Sequence, residues 1–236
     1  MLSILSSHPH IFAFPRETGL FCPKAYRRRR PVEASISNFD FYRHLLWQEI
    51  PRTAQRWCEK TPKNVLFFGK ILDHFDGRVR LIHIVRDGRD VVTSQHPRDP
   101  ARYWVSAQRW IDETSAGLEW EGHDGVLTVR YEDLVRDLGS QLARLGTFLD
   151  EDFSERADVW HEQAAIRLSE AWFHEVRAAH SHSIGRWNSP QHREAVQQLM
   201  AMPEAVRILD HLGYEIASEG PDLDRRPAGK RDQMRA

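Results

Sequence analysis

Short apolar runs, each followed by a stretch with helical spacing, set the rhythm of this 236-residue chain. Leu81-Ile82-His83-Ile84-Val85 and Val126-Leu127-Thr128-Val129-Arg130-Tyr131 have the nearly continuous, β-branched character of buried parallel strands. Ile11-Phe12-Ala13-Phe14, closed by Pro15, reads as a shorter strand or extended segment. Between these runs the apolar positions recur at helical spacing. Leu2, Ile4 and Leu5 belong to the end of a helix stopped by Pro9, and a helix from Asn38 carries Phe41, Leu45 and Leu46 on one side. Thr61 as N-cap and Pro62 as first helical residue predict a helix to about Asp73, with Val65, Leu66, Leu72 and Phe75 supplying much of its buried face. After a turn at Asp87-Gly88, a helix carries Val91 and Val92, with Ser94 about two turns in.

Pro100 to Leu118 predicts an amphipathic helix through Trp104, Ala107, Ile111, Ser115 and Leu118. Asp133 is placed to cap the next helix, in which Leu134, Leu138, Leu142, Leu145 and Leu149 recur. The polar segment from His180 to Trp187 predicts a loop. Ser189-Pro190 opens a last helical region, interrupted at Pro203 and ended by Gly213 as a C-terminal cap. From Ala217 the chain is charged and nearly free of large apolar groups, which predicts disorder. Alternating strands and helices predict an α/β fold, a parallel sheet flanked by helices, over residues 1–216.

Composition narrows the function classes. A hydrophobic content of 41% suffices for one domain with a real core, and a net charge of −1 provides no global field for nucleic acid or acidic membranes. Any anion site must then be local. Cys22 and Cys58 have neither metal-type spacing nor a disulfide framework, and the simplest setting is reduced and cytoplasmic. No apolar run approaches the roughly 20 residues of a membrane helix.

The candidate chemistry collects where strands end. Open α/β sheets bind ligands at the carboxyl ends of their strands. Arg86 sits there with a permanent charge and a planar fork of donors suited to phosphate, and Ser94 is a second donor for the same anion. The plain alternative pairs Arg86 with Asp87 or Asp90 at a helix start. Lys60 immediately precedes a predicted helix N-terminus, where acids are the norm, and such a broken rule points to function. Glu17 follows the first strand, where partial burial would raise its basicity. Gly185 permits close backbone approach, and Arg186 offers a second guanidinium with Trp187 beside it for stacking. Arg27 to Arg30 read as a solvated surface run, without the interleaved aromatics of a nucleic-acid groove. His8 and His10 flank Pro9 as solvent-exposed turn residues; no third ligand is suggested, and no metal is expected.

Taken together, the segments resemble sulfotransferases that use 3′-phosphoadenosine 5′-phosphosulfate (PAPS). Ile84-Val85-Arg86-Asp87-Gly88-Arg89-Asp90-Val91-Val92-Thr93-Ser94 is similar to that family's 3′-phosphate motif, which implies that Arg86 and Ser94 hold the 3′-phosphate. Glu59-Lys60-Thr61-Pro62 resembles the segment whose lysine sits near the transferring sulfuryl group, and Pro15-Arg16-Glu17-Thr18 the segment that supplies a carboxylate base. Ser183-Ile184-Gly185-Arg186-Trp187 is similar to the loop that folds over the nucleotide. The resemblance implies a P-loop nucleotide-hydrolase-like sheet, PAPS as co-substrate, no metal, and a small-molecule, glycan, lipid or peptide acceptor. One departure stands out. The family's first strand and 5′-phosphosulfate loop should precede the first helix, and the chain begins inside that helix. Either the reading frame starts late, or the chain is a shortened, non-catalytic relative with weak nucleotide binding or a partner-binding role.

Overall fold

A computed structural model describes residues 1–22, 37–96, 99–166, 176 and 181–216. The arginine run at 27–30 and the tail from 217 lie outside the described residues. In order the elements are α1 (Leu2–Leu5), β1 (Ile11–Ala13), α2 (Asn38–Leu46), β2 (Arg56–Cys58), a 3-10 segment (Pro62–Phe67) running into α3 (Phe68–Phe75), β3 (Leu81–Val85) and α4 (Gly88–Val92). Then come β4 (Gln95–His96), β5 (Asp99–Tyr103), α5 (Ala107–Leu118), β6 (Val126–Arg130), α6 (Tyr131–Arg136), α7 (Leu138–Leu149) and α8 (Trp160–Gln163). Short 3-10 turns at Ser181–Ser183, Arg186–Asn188 and Pro190–His192 lead into α9 (Arg193–Met200) and α10 (Pro203–His211).

The parallel sheet is present in two halves. β1 pairs in parallel with β2, Ile11 opposite Arg56, and β3 pairs in parallel with β6 from Leu81–Val126 to Val85–Arg130. Among the described residues no ladder joins the two pairs.

Alternate residues of β3 and β6 serve opposite helical layers, with Ile84 left 39% exposed on one face of β3. Leu81 and Val126 pack with Phe68, Ile71 and Leu72 of α3. Ile82, Leu127 and Val129 pack instead with Leu142, Leu145 and Leu149 of α7 and with Ile4 and Leu5 of α1. A third cluster joins Val85 and Val92 to Trp110 and Ile111 of α5 and to Leu199, Ala205 and Leu209. Each such aliphatic side chain contributes roughly 1.5–3 kcal/mol on burial, which is why these short strands hold.

Several expectations are corrected. The helix predicted over 100–118 begins only at Ala107, where the Ser106 side chain accepts from the Arg109 amide; residues 99–103 form the second strand of an antiparallel pair with β4. Trp104 is therefore outside the helix and half exposed, and the buried stripe is Trp110, Ile111, Thr114 and Gly117. Leu46 is 83% exposed rather than core-facing. The helix after Thr61 starts as a 3-10 turn, and the Thr61 hydroxyl donates to Glu59 instead of capping. α4 ends at Val92, so Ser94 lies beyond it. The leucine-rich helix is capped by Asp137, which accepts from the Ser140 amide, and not by Asp133. His8 is buried, and Glu151, at the end of α7, stands beside both His8 and His10 as the third ligand type the sequence did not suggest. Gly213, at φ 72°, closes α10 as expected.

Candidate active site

The ends of β1, β2, β3 and β6 lead to one rim. Glu17 follows β1, Glu59 and Lys60 follow β2, Arg86 follows β3, and Tyr131 and Glu132 follow β6. Between the two strand pairs lies a cavity of about 410 Å³ whose walls include Cys58, Glu59, Lys60, His83, Arg86 and Trp110. The rim thus carries two cations on one cavity, Lys60 from one half of the sheet and Arg86 from the other.

The Lys60 corner is organised by Glu59. Its carboxylate accepts from the Thr18 amide (3.1 Å) and hydroxyl (2.9 Å), from the Thr61 hydroxyl and from Asn64 Nδ2 (2.6 Å). Thr61 Oγ1 in turn accepts the Gly19 amide at 3.2 Å. With its acceptors filled this way, Glu59 fixes the segment after β1 against the segment after β2. Lys60 Nζ reaches Glu17 Oε1 at 2.5 Å, in a pair whose side chains are 34% and 40% exposed. Glu17 is exposed as a residue, so the partial burial expected of it is not met.

The Arg86 corner is organised by Asp90, whose side chain is 1% exposed. It accepts the amides of Gly185 (2.8 Å) and Trp187 (3.1 Å) and stands 3.6 Å from an Arg86 guanidinium nitrogen. That nitrogen also donates to the Ser183 carbonyl, and the guanidinium lies over the Tyr131 ring at 4.9 Å. Gly185 holds φ at 75°, a left-handed conformation that favours glycine. Tyr131 Oη is 3.0 Å from Ser183 Oγ, a further tie between the rim and the loop. Arg86 Nε is buried with no partner among the described residues, which marks an unfilled donor at the rim. The Ser94 hydroxyl donates to the Asp90 carbonyl at 2.7 Å.

The plain alternative for this motif is therefore realised in part: Arg86 stands by Asp90, and Arg89 is clasped by Asp87 through Nε (2.9 Å) and Nη2 (2.8 Å). Trp187 stacks on Arg89, at 4.0 Å, rather than beside Arg186, which is exposed. Glu132, 2% exposed, accepts the Asp87 amide at 3.0 Å and the Tyr214 hydroxyl at 2.7 Å, joining the turn after β3 to the end of α10. Gly88 proves to be a packing requirement, since an added Cβ would lie 2.7 Å from the Trp110 indole. That indole donates to the Arg86 carbonyl at 3.3 Å.

The structure brings Lys60 and Arg86 to one cavity, ties Glu17 to Lys60, and ties Ser94 and Gly185 to Asp90; Arg186 extends outward from the same loop. Sequence reasoning weighed Asp90 only as a partner of Arg86 and missed Glu59 and Glu132 as organisers. Their only signal was an acid within one to four residues of each candidate cation or strand end. His83, on the cavity wall, is held neutral by burial, its pKa lowered to about 4, with Nδ1 unpartnered among the described residues. Burial pushes the thiols of Cys22 and Cys58 up to about 12, so neither is a thiolate nucleophile near neutrality.

A model described as the sulfotransferase family matches residues 1–155. No curated protein matches the chain. Among solved structures, the chain is similar to the sulfotransferase domain from the curacin biosynthetic pathway, at 19% identity and a TM-score of 0.50 over 91% of this chain and 93% of that one. It is similar to a sulfotransferase from Alicyclobacillus acidocaldarius at 14% identity and a TM-score of 0.50, over 91% of each chain. These likenesses establish the α/β, P-loop-like fold.

Proposed function

The chain belongs to the sulfotransferase family, and from that premise we propose that it moves a sulfuryl group from PAPS to a hydroxyl or amine acceptor. What supports this reading is the placing of Lys60 and Arg86, cations from the two halves of the sheet, on the walls of one cavity. In-line transfer of a trigonal group depends on positioning and on meeting charge as it develops. Glu17 takes the acceptor proton as the acceptor oxygen or nitrogen bonds to sulfur and the bond from sulfur to the nucleotide's bridging oxygen breaks. Lys60 meets the negative charge that grows on that bridging oxygen. The Lys60–Glu17 ion pair is the resting form of the two groups, and the reacting centre separates them. Arg86 holds the 3′-phosphate through its unfilled Nε, Ser94 adds a hydroxyl once it releases the Asp90 carbonyl, and Gly185 and Arg186 close the loop over the nucleotide.

Titration calorimetry with 3′-phosphoadenosine 5′-phosphate against adenosine monophosphate tests the phosphate clamp. Wild type is expected to prefer the former, and Arg86→Ala to weaken its binding by ~1.5–3 kcal/mol, the scale of a charged hydrogen bond. Lys60→Ala is expected to leave that affinity nearly unchanged while lowering turnover by roughly 10²–10³. Equal affinities for wild type and Arg86→Ala would remove Arg86 from the site. Nucleotide binding without sulfuryl transfer to any hydroxyl or amine acceptor would favour a non-catalytic relative.

A further inference from the structure

We propose that His8, His10 and Glu151 form a site for one divalent transition cation, with zinc the best match to its donors. The three side chains come from the turn before β1 and the segment just after α7, more than 140 positions apart in sequence, and the fold alone makes them neighbours.

One donor atom from each lies within 4.8 Å of the others. Glu151 Oε2 is 3.0 Å from His10 Nδ1 and 3.8 Å from His8 Nδ1. Zinc bonds of ~2.0–2.2 Å in tetrahedral geometry space neighbouring ligands by roughly 3.4 Å, between those two distances. Two nitrogens and one carboxylate oxygen suit zinc better than a hard cation, which prefers an all-oxygen shell.

The surroundings orient the ligands. His8 Nε2 faces the Asp152 carbonyl at 3.1 Å, so it carries the ring proton; Nδ1 faces the His10 amide at 3.3 Å, so it carries the lone pair. A backbone carbonyl fixing the far ring nitrogen is the usual support of a metal-bound histidine. The amide contact is long, and a cation would take its place. Glu151 has one oxygen held by Arg56 Nε at 2.9 Å, which leaves Oε2 for the cluster. The Arg56 charge opposes a bound cation and limits affinity without removing a donor. The side chains of His8 and Glu151 are covered while that of His10 is 41% exposed, so ions enter on the His10 side, where a water completes the shell.

The location defines the role. His8 and His10 precede β1, whereas Glu17, Lys60 and Arg86 all follow strand ends, so the cation sits at the opposite edge of the sheet from the cavity. It would cross-link the start of β1 to the end of α7 and act on stability, not on transfer.

The test is zinc titration of the metal-stripped full chain by competition with a chromophoric chelator, paired with thermal unfolding. Wild type is expected to bind one equivalent and to unfold at higher temperature with zinc. His10→Ala, a change at an exposed side chain, should weaken binding at least tenfold and abolish the thermal shift, and Glu151→Gln should do the same. His211→Ala removes a different, exposed histidine, 2.6 Å from Glu121, and should change neither readout. Cobalt in place of zinc should give the visible absorption of a tetrahedral site in wild type and not in His10→Ala. No zinc binding by wild type, or equal binding by wild type and His10→Ala, overturns the site and leaves Glu151 hydrogen-bonded to His10 and paired with Arg56.

Discussion

Glu59 and Asp90 stand at the two corners of the same rim, and each gathers a neighbouring segment by accepting several hydrogen bonds, yet they hold their cations differently. Glu59 collects one amide and three side-chain donors from residues close to it in space and leaves Lys60 on the surface, paired with an equally exposed Glu17. Asp90 collects two amides from a loop 95 and 97 residues away and keeps Arg86 beside it, under Ser183 and against Tyr131. The first arrangement fixes the backbone and leaves the charge paired at the surface. The second fixes both. A cation that must follow charge as it develops suits the first, and a cation that grips a fixed anion suits the second.

Removing the two organisers should separate the corners most sharply. Asp90→Ala strips a buried partner from Arg86 and leaves two loop amides unmatched, and should cost roughly 3–5 kcal/mol in chemical denaturation. Glu59→Ala, at a half-buried position, should cost only roughly 1–3 kcal/mol. Hydrogen exchange should show the Gly185 and Trp187 amides losing protection in Asp90→Ala alone. Comparable costs, or unchanged exchange at 185 and 187, would erase the distinction.

A pH series reads the cavity wall between the corners. The His83 pKa is depressed by burial from 6.5 to about 4, so the unfolded chain binds its proton first as pH falls. The resulting stability is fully present above about pH 6.5 and is lost progressively down to about pH 4, by about 3 kcal/mol in all. His83→Leu should flatten the urea-derived stability profile across that window; an unchanged slope would assign the acid sensitivity elsewhere. The smallest effect is expected at Lys60. Its ion pair is exposed, so Lys60→Ala should shift stability by less than about 0.5 kcal/mol. A larger shift in thermal or urea unfolding would mean that Lys60 holds the fold together.

Much of this architecture was legible in advance. The runs at 81–85 and 126–130 read as parallel strands because their composition suits burial on both faces, and they pair with each other. The helix ends were less legible where a side chain had two uses: Thr61 looks like a cap but donates to Glu59, and Asp133 looks like a cap while Asp137 does that work. Trp104 fits a helical stripe that starts three residues too early, because Asp99–Tyr103 finds a strand partner in Gln95–His96. At the site, Lys60 and Arg86 stood out by position and Asp90 only as a partner of Arg86, while Glu59 and Glu132 did not, since an acid near a strand end is ordinary until its partners are known.

The sequence by itself determined that 81–85 and 126–130 are strands, which residues carry permanent charge past their ends, and which local glycine turns are allowed, because these follow from residue type and near-neighbour spacing. Only the tertiary structure decided that Arg86 is gripped by a loop 97 residues away, that Gly88 is required by an indole of α5, and that Glu151 meets two histidines across more than 140 positions. Those facts depend on where layers touch, and contact across layers is fixed by packing the whole core at once.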